Sequence, residues 1–430
     1  MEKKMSDITR RDFVKAASAV TAIGATTLPA WAVQEKRDPI KIGFIGCGGR
    51  GTGAANQALQ ANDSAVIWAM GDVFQDRLVG SHQTLVEAKG KRAEVPHERQ
   101  FIGFDAYQKV IDSGVDMVIL TTPPHFRPEH IAAAVKAKKH VFCEKPMAVD
   151  GTGVRSVMES TKLAKENDTN LVSGFCWRAS YPLRATYDQI QSGAIGDVCS
   201  IFASYYTTPL WTKPRKPQWS DVEWQMRNWV HFDWLSGDHI VEQACHSIDK
   251  INWCMQNEPP INAISVGGRQ MHEMAETGNV YDHFGVMFEY EGGKRAHLHC
   301  RQMPYSYTDN NDFITGSTGN CIVNGWTGAP EFSGSSSWTY TGDNPNMYQV
   351  EHDEMQEAIR GDRPTINHGD FMAQSTMMAI LGREAAYTGQ KVSYEDALNS
   401  TTRLGPKEYA FVEFDTPPVA EPGSTKLNRE

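Results

Sequence analysis

Residues 40–51, Ile-Lys-Ile-Gly-Phe-Ile-Gly-Cys-Gly-Gly-Arg-Gly, constrain the fold more than any other stretch of the chain. The apolar run Ile40, Ile42, Phe44 and Ile45 predicts a strand, and Ala54–Leu59 reads as a helix. Between them lies Gly46-Cys47-Gly48-Gly49-Arg50-Gly51, a G-x-G-x-x-G loop. Gly46 permits a tight turn, Gly48 lets backbone approach a pyrophosphate, and Gly51 lets helix and strand pack closely. The helix start then offers free N–H groups to the phosphates. Alone this pattern is weak, because glycine makes up 36 of 430 residues.

Its surroundings strengthen it. A second apolar run, Val66–Met70, ends in Gly71-Asp72, and Asp72 stands 21 positions beyond Gly51. That is where an acid should accept hydrogen bonds from an adenosine ribose. Asp72 would serve equally as the N-cap of a helix starting near Phe74. Strand, turn and spacing together indicate a nicotinamide-dinucleotide site. An acid here favours NAD over NADP, because a carboxylate repels a 2′-phosphate, and Lys or Arg farther along softens that preference.

At 430 residues the chain has room for two domains, each burying its own core. Its net charge of −10 and the lack of a basic stripe beyond the N-terminus argue against nucleic acid as a partner. Thr9-Arg10-Arg11-Asp12-Phe13-Val14-Lys15, an apolar stretch over 16–28 and Ala30-Trp31-Ala32 have the layout of a twin-arginine export signal over residues 1–32. The expected route is the twin-arginine translocation machinery and the expected location is periplasmic. No later run is long enough to span a membrane. Eight cysteines form no CxxC pair, and a protein exported folded should carry them as buried thiols. With the 14 histidines they show no metal-ligand spacing, so no metal is expected.

After a linker at 33–39, strands and helices alternate as in a doubly wound sheet. Strands are expected at 40–45, 66–70, 116–121, 140–143 and 170–175, and helices near 74–88, 105–113, 128–138 and 150–167. Residues 40–170 read as a Rossmann dinucleotide-binding domain. The loop Thr122-Pro123-Pro124-His125 follows the third strand candidate, 116–121, and should border the nicotinamide. From 171 to 430 the texture changes to an α/β domain with an open, mainly antiparallel sheet, signalled by alternating runs such as Gly285–Tyr290. The Gly/Ser/Thr/Asn-rich segment 326–347 reads as a long surface loop. Helices near 369–388 and 394–401 close the chain.

Two segments could carry chemistry. Cys143-Glu144-Lys145-Pro146 ends a central strand and delivers a lysine to the cofactor edge, although lysine is rarely buried without a partner. In Asp238–Trp253, read as one helix, Asp238, Glu242, His246 and Asp249 share a face at spacings of four, four and three. Three carboxylates around one histidine suit proton transfer, because they orient the imidazole and raise its pKa. An exposed, hydrated face would show the same spacing.

These segments, with Gly174-Phe175-x-x-Arg178, Gly193-x-Ile195-Gly196 and Gly316-Ser317-x-Gly319 in the same order, resemble the glucose–fructose oxidoreductase/inositol dehydrogenase/rhizopine catabolism (Gfo/Idh/MocA) family. The resemblance covers nearly the whole chain beyond residue 39. It implies a Rossmann domain followed by an α/β domain whose open sheet mediates homo-oligomer formation. It implies hydride exchange between NAD or NADP and a secondary alcohol of a small carbohydrate. Lys145 and His246 inherit the proton chemistry, with Glu242 orienting His246 where the family usually has Asp. Lys145, Arg178, Tyr206, Asp249 and His246 are expected to hold the substrate, with Trp177, Tyr205 and Trp234 as further candidates. Glu144 and Lys145 join residues 46–51, Asp72, Thr122, Pro123 and His125 as the expected cofactor contacts. A NAD-dependent glycosidase and a non-catalytic sugar-binding protein remain alternatives on the same fold.

Overall fold

The computed structural model describes residues 38–272, 275–334 and 337–429, so the expected export signal at 1–32 lies outside the described residues. A parallel six-stranded sheet in the order β3-β2-β1-β4-β5-β6 comes first. Its strands are β1 (Lys41–Ile45), β2 (Val66–Asp72), β3 (Gln100–Ile102), β4 (Met117–Leu120), β5 (His140–Cys143) and β6 (Leu171–Ser173). The helices between them are α1 (Gly49–Ala61), α2 (Gln75–Lys89), α3 (Ala106–Asp112), α4 (Arg127–Lys136) and α5 (Gly151–Glu166). Every residue of β4 is buried, as strands covered by helices on both faces require. The strand order reverses between β1 and β4, which opens a crevice at their carboxyl ends. β3 had no sequence signal, being three residues with no fully buried position. β6 completes this first sheet just past residue 170.

The second sheet has eight strands in the order β13-β12-β11-β7-β10-β9-β8-β14. They are β7 (Val198–Thr207), β8 (Asn262–Gly268), β9 (His283–Glu289), β10 (Arg295–Gln302), β11 (Asn311–Gly316), β12 (Gly319–Asn324), β13 (Pro330–Gly334) and β14 (Val392–Ser393). Only β7 and β10 pair in parallel. Helices α6 (Tyr181–Gln191), α7 (Asp221–Arg227), α8 (His239–Glu242), α9 (Cys245–Cys254), α10 (Met347–Arg360), α11 (Gly369–Thr388) and α12 (Tyr394–Leu398) accompany it. α9 packs on β7, and the largely buried α11 packs on β8 and β9. The opposite face of the sheet stays open. Across it Ile264, Met287, His297, Phe202, Phe313 and Ile322 lie in one register row.

Three expectations need correction. The segment 326–347 is not a continuous loop, because β13 pairs antiparallel with β12. The 238–253 helix is broken: Asp238 takes φ 77° and caps the short α8, and a new helix, α9, starts at Cys245. Not every thiol is buried: all eight cysteines are free, and Cys199 is exposed. The helix α10, capped by Asn346, had not been anticipated, and it packs back against α1 of the first domain.

Candidate active site

The crevice holds a cavity of about 540 Å³ lined by Gly46, Gly48, Gly49, Arg50, Gly51, Asp72, Thr122 and Pro123, among others. The glycines are there for distinct reasons. A Cβ on Gly51 would lie 2.2 Å from the Gly46 carbonyl and 2.4 Å from Thr121 Oγ1, so only glycine lets α1 sit this close to β1 and β4. Gly46 has φ +95° in a tight turn. Beside Gly48 and Gly49 no atom lies within 4 Å of where a Cβ would be. The backbone there is open to an approaching phosphate, and the first turn of α1 carries no acid to repel it. These features fit a dinucleotide. Aromatic walls of Phe74 and Phe104 close the far end.

Asp72 lies at the end of β2, two residues before Phe74, which is itself the N-cap of α2. Its Oδ1 accepts from the Phe74 N–H at 2.8 Å and its Oδ2 from the Cys47 N–H at 2.6 Å, and the residue lines the cavity. Burial raises its pKa despite those two N–H bonds. Cys47 is buried behind the loop, its thiol raised well above its usual pKa by burial. It therefore acts through its backbone. His125 does not line this cavity. It hydrogen-bonds Tyr409 at 2.8 Å and meets Trp234 edge-on at 5.0 Å, while Phe126 and His130 take its place in the wall. Glu144 is also outside the wall and instead accepts from Arg50 Nε at 2.5 Å.

At the end of β5, past a cis Lys145–Pro146 peptide, the Lys145 ammonium donates to the Glu242 carbonyl and, at 3.0 Å, to Glu242 Oε1. Burial alone would lower the Lys145 pKa, but Glu242, helped by Cys245, Tyr205 and Glu144, more than offsets it and holds the lysine charged. His246 behaves in the opposite way. Burial, then the charges of Lys145, Lys250 and Arg50, push its pKa well below the usual value. The carboxylates expected to raise it are committed elsewhere. Asp238 is buried and accepts from the Tyr281 N–H and the Tyr387 hydroxyl, its own pKa raised by burial to about 7. Glu242 bonds the lysine. Asp249 is held by Arg178 at 2.8 and 2.9 Å and by Ser375 at 2.7 Å. A neutral imidazole therefore lies within the field of a charged ammonium, its buried Nδ1 without a hydrogen-bond partner among the described residues.

The expected substrate contacts are partly redistributed. Arg178 and Asp249 satisfy one another, with the guanidinium packed over Trp253 at 4.6 Å and Phe371 at 4.4 Å, so this pair stiffens α9 instead of facing a ligand. Tyr206 lies under Arg301 at 4.6 Å, and strand alternation puts the buried Tyr205 on the other face, within the field of Lys145. Trp234 belongs to the core, its Nε1 donating to Gln225 at 2.7 Å. Trp177 stays beside His246 at 5.1 Å, and Trp326 meets it edge-on at 5.3 Å while half exposed. Sequence reading missed Trp326 because it opens a stretch with loop composition. It also missed Lys250, which is fully buried against Asp312 at 2.9 Å and over Trp177 at 4.3 Å. The i+4 spacing from His246 was the available signal.

Among the described residues no helix is long and apolar enough to cross a membrane, and no group of three or more His, Cys, Asp or Glu could hold a metal. Residues 40–175 match a family model described as an oxidoreductase family with an NAD-binding Rossmann fold. Residues 183–322 match the C-terminal domain of the same family, so the two together span more than half of the chain. Over 36% of its length the chain is 32% identical to the myo-inositol 2-dehydrogenase of Thermotoga maritima, and the match covers 42% of that protein. It is 25% identical to the 2,7-anhydro-N-acetylneuraminate hydratase of Escherichia coli, over 53% of this chain and 57% of that one. The chain thus spans about half the length of these curated relatives. A levoglucosan dehydrogenase solved with NADH and levoglucosan superposes with a TM-score of 0.65 at 17% identity, over 83% of this chain and all of that one.

Proposed function

Because the chain belongs to the Gfo/Idh/MocA oxidoreductase family, we propose that it moves hydride between NAD and a secondary alcohol of a sugar, polyol or glycoside. The observation that carries this reading is a charged Lys145 at the end of β5 whose field helps keep His246 of α9 neutral, one residue from each domain. When bound, the nicotinamide supplies the acceptor for the hydride. His246 takes the hydroxyl proton as the carbonyl forms. Lys145, kept charged by Glu242, donates a hydrogen bond to the same oxygen. The buried Tyr205 is a neutral phenol beside the lysine, its pKa raised by burial. The half-exposed Trp326, backed edge-on by the buried Trp177, offers a sugar an apolar surface.

The chain leaves the cytoplasm through its twin-arginine signal, works in the periplasm, and assembles with copies of itself through the open face of the second sheet. Free nicotinamide cofactor is scarce there, so the protein carries its own and must return the hydride on site. A relative named as a hydratase favours a second, redox-neutral reading: transient oxidation of a glycoside, elimination, hydration and re-reduction. One experiment tests both. Purified protein with bound NAD is mixed with a panel of polyols, free sugars and glycosides, with absorbance at the NADH band and products followed together. Lasting reduction of NAD marks net oxidation, and release of aglycone without it marks the cycle. A protein inert to the whole panel would overturn the proposal.

A further inference from the structure

The dinucleotide loop belongs to the first domain, yet part of the cavity wall does not. Trp211, Lys213, Met226, Arg227 and Trp229, all from the second domain, line its adenosine end beside Phe74 and Arg77. This segment is held firmly. Asn228 accepts from the Lys213 N–H at 2.7 Å and donates to the Lys213 carbonyl at 2.9 Å. Behind it the chain near the C-terminus is bonded on: Gln225 Nε2 donates to the Phe414 carbonyl at 2.7 Å, and the Phe414 N–H to Asp221 at 3.0 Å. From the same stretch Phe411 stacks on Phe74 at 5.7 Å.

One side chain ties this wall to the first domain. Arg227, at the end of α7, reaches Asp76 in the first turn of α2 through two nitrogens, at 3.1 and 3.2 Å. Glu223 braces it at 2.9 Å, and its guanidinium lies 3.9 Å over the Phe74 ring. Arg77 and Lys213, by contrast, make no ion pair within 4 Å among the described residues. Lys213 is pushed below its usual pKa by burial and by Arg77 and Arg227, so this end of the cavity is short of negative charge. An anionic dinucleotide supplies it.

We propose that residues 211–229 form a latch over the adenosine end of the cofactor, closed by Arg227 on Asp76 and Phe74, so that the dinucleotide remains bound through successive turnovers. Adenosine leaves only when Arg227 releases Asp76 and the segment lifts from Phe74. The inference rests on the reading of the cleft as an NAD site. It assigns retention to the second domain, where the sequence pattern placed no cofactor contact.

The test is exchange of bound NAD for radiolabelled NAD in the purified full chain, with NAD(H) content measured after repeated desalting. The unaltered protein is expected to keep its cofactor through desalting and to exchange it far more slowly than it turns over. Arg227→Met keeps the apolar stem and removes the charge, and Asp76→Asn alters an exposed partner outside the cavity wall. Each should raise the exchange rate by about tenfold or more, the change appearing in dissociation. Single-turnover hydride transfer by the loaded Asp76→Asn protein should match the unaltered one. Unchanged exchange in both variants would overturn the latch, as would exchange in the unaltered protein that keeps pace with turnover. A protein that holds labelled NAD for hours but oxidises no carbohydrate would sink the proposed reaction while leaving the latch in place.

Discussion

The Lys145 ammonium donates twice to Glu242, to its carbonyl and at 3.0 Å to its carboxylate, and this contact joins the end of β5 in the first domain to α8 in the second. The acid that sequence spacing assigns to His246 therefore serves the lysine. Glu242→Gln removes the main influence raising Lys145 and leaves burial, which lowers it. The alkaline limb of the pH–rate profile should move to lower pH in that variant. An unmoved limb would show that Glu242 does not set the charge on Lys145.

Lys145→Ala and His246→Ala should each slow hydride transfer by about 10²–10⁴-fold. Because both act on one oxygen, the double variant should lose less than the product of the single losses. Single-turnover reduction of bound NAD measures this, and full activity in His246→Ala would remove its proton-transfer role.

Neighbouring residues on α10 should give opposite pH dependences of stability. His352 is fully buried, has no hydrogen-bond partner on either ring nitrogen, and is lowered by burial to about 3. Its neutral form is the folded one, so its contribution is fully present above the unfolded pKa near 6.5 and is lost as pH falls toward 3. His352→Phe should flatten the decline between pH 6.5 and 4.5 by about 1.4 kcal/mol per pH unit. Glu351, buried with both oxygens unpartnered and raised well above its usual value, acts in reverse. Its stabilising protonated form is lost as pH rises, so Glu351→Gln should gain most over the unaltered protein above neutrality. Urea denaturation at several pH values checks both signs.

The open sheet face predicts the assembly. Ile264 and Phe313 are exposed at opposite sides of the row crossing six strands, which is apolar apart from His297. Ile264→Lys with Phe313→Lys should split the oligomer into smaller species without unfolding it, since neither side chain is in the core. Light scattering that shows an unchanged mass would exclude this face as the interface.

Arg10→Lys with Arg11→Lys should leave unprocessed precursor in the cytoplasm. Fractionation and N-terminal sequencing of exported protein, expected to begin after Ala32, decide the matter.

The first domain was legible almost strand by strand because its signals are local. Buried parallel strands read as short apolar runs, and Gly46, Gly48 and Gly51 reflect backbone needs that no other residue meets. Lys145 and His246 stood out for the same reason, each lying in a compact motif. What sequence misread depended on neighbours far along the chain. Spacing placed Asp238, Glu242 and Asp249 on one helical face with His246, but Asp238 only caps α8, and the helix stops at Glu242 and restarts at Cys245. Tyr387, Lys145 and Arg178, brought from other elements, then claim the three carboxylates. The sign of the His246 shift followed from that, since burial and neighbouring cations replaced the expected anions. Loop composition hid both β13 and Trp326, whose surroundings are made by β12 and Trp177. Local sequence was enough to read the Rossmann half and its glycine loop and to nominate Lys145 and His246, because backbone geometry and short motifs are written locally. The partner of each charge, and the second-domain residues that line the cavity, came only from the folded chain, because electrostatic pairing and burial depend on contacts between residues far apart in sequence.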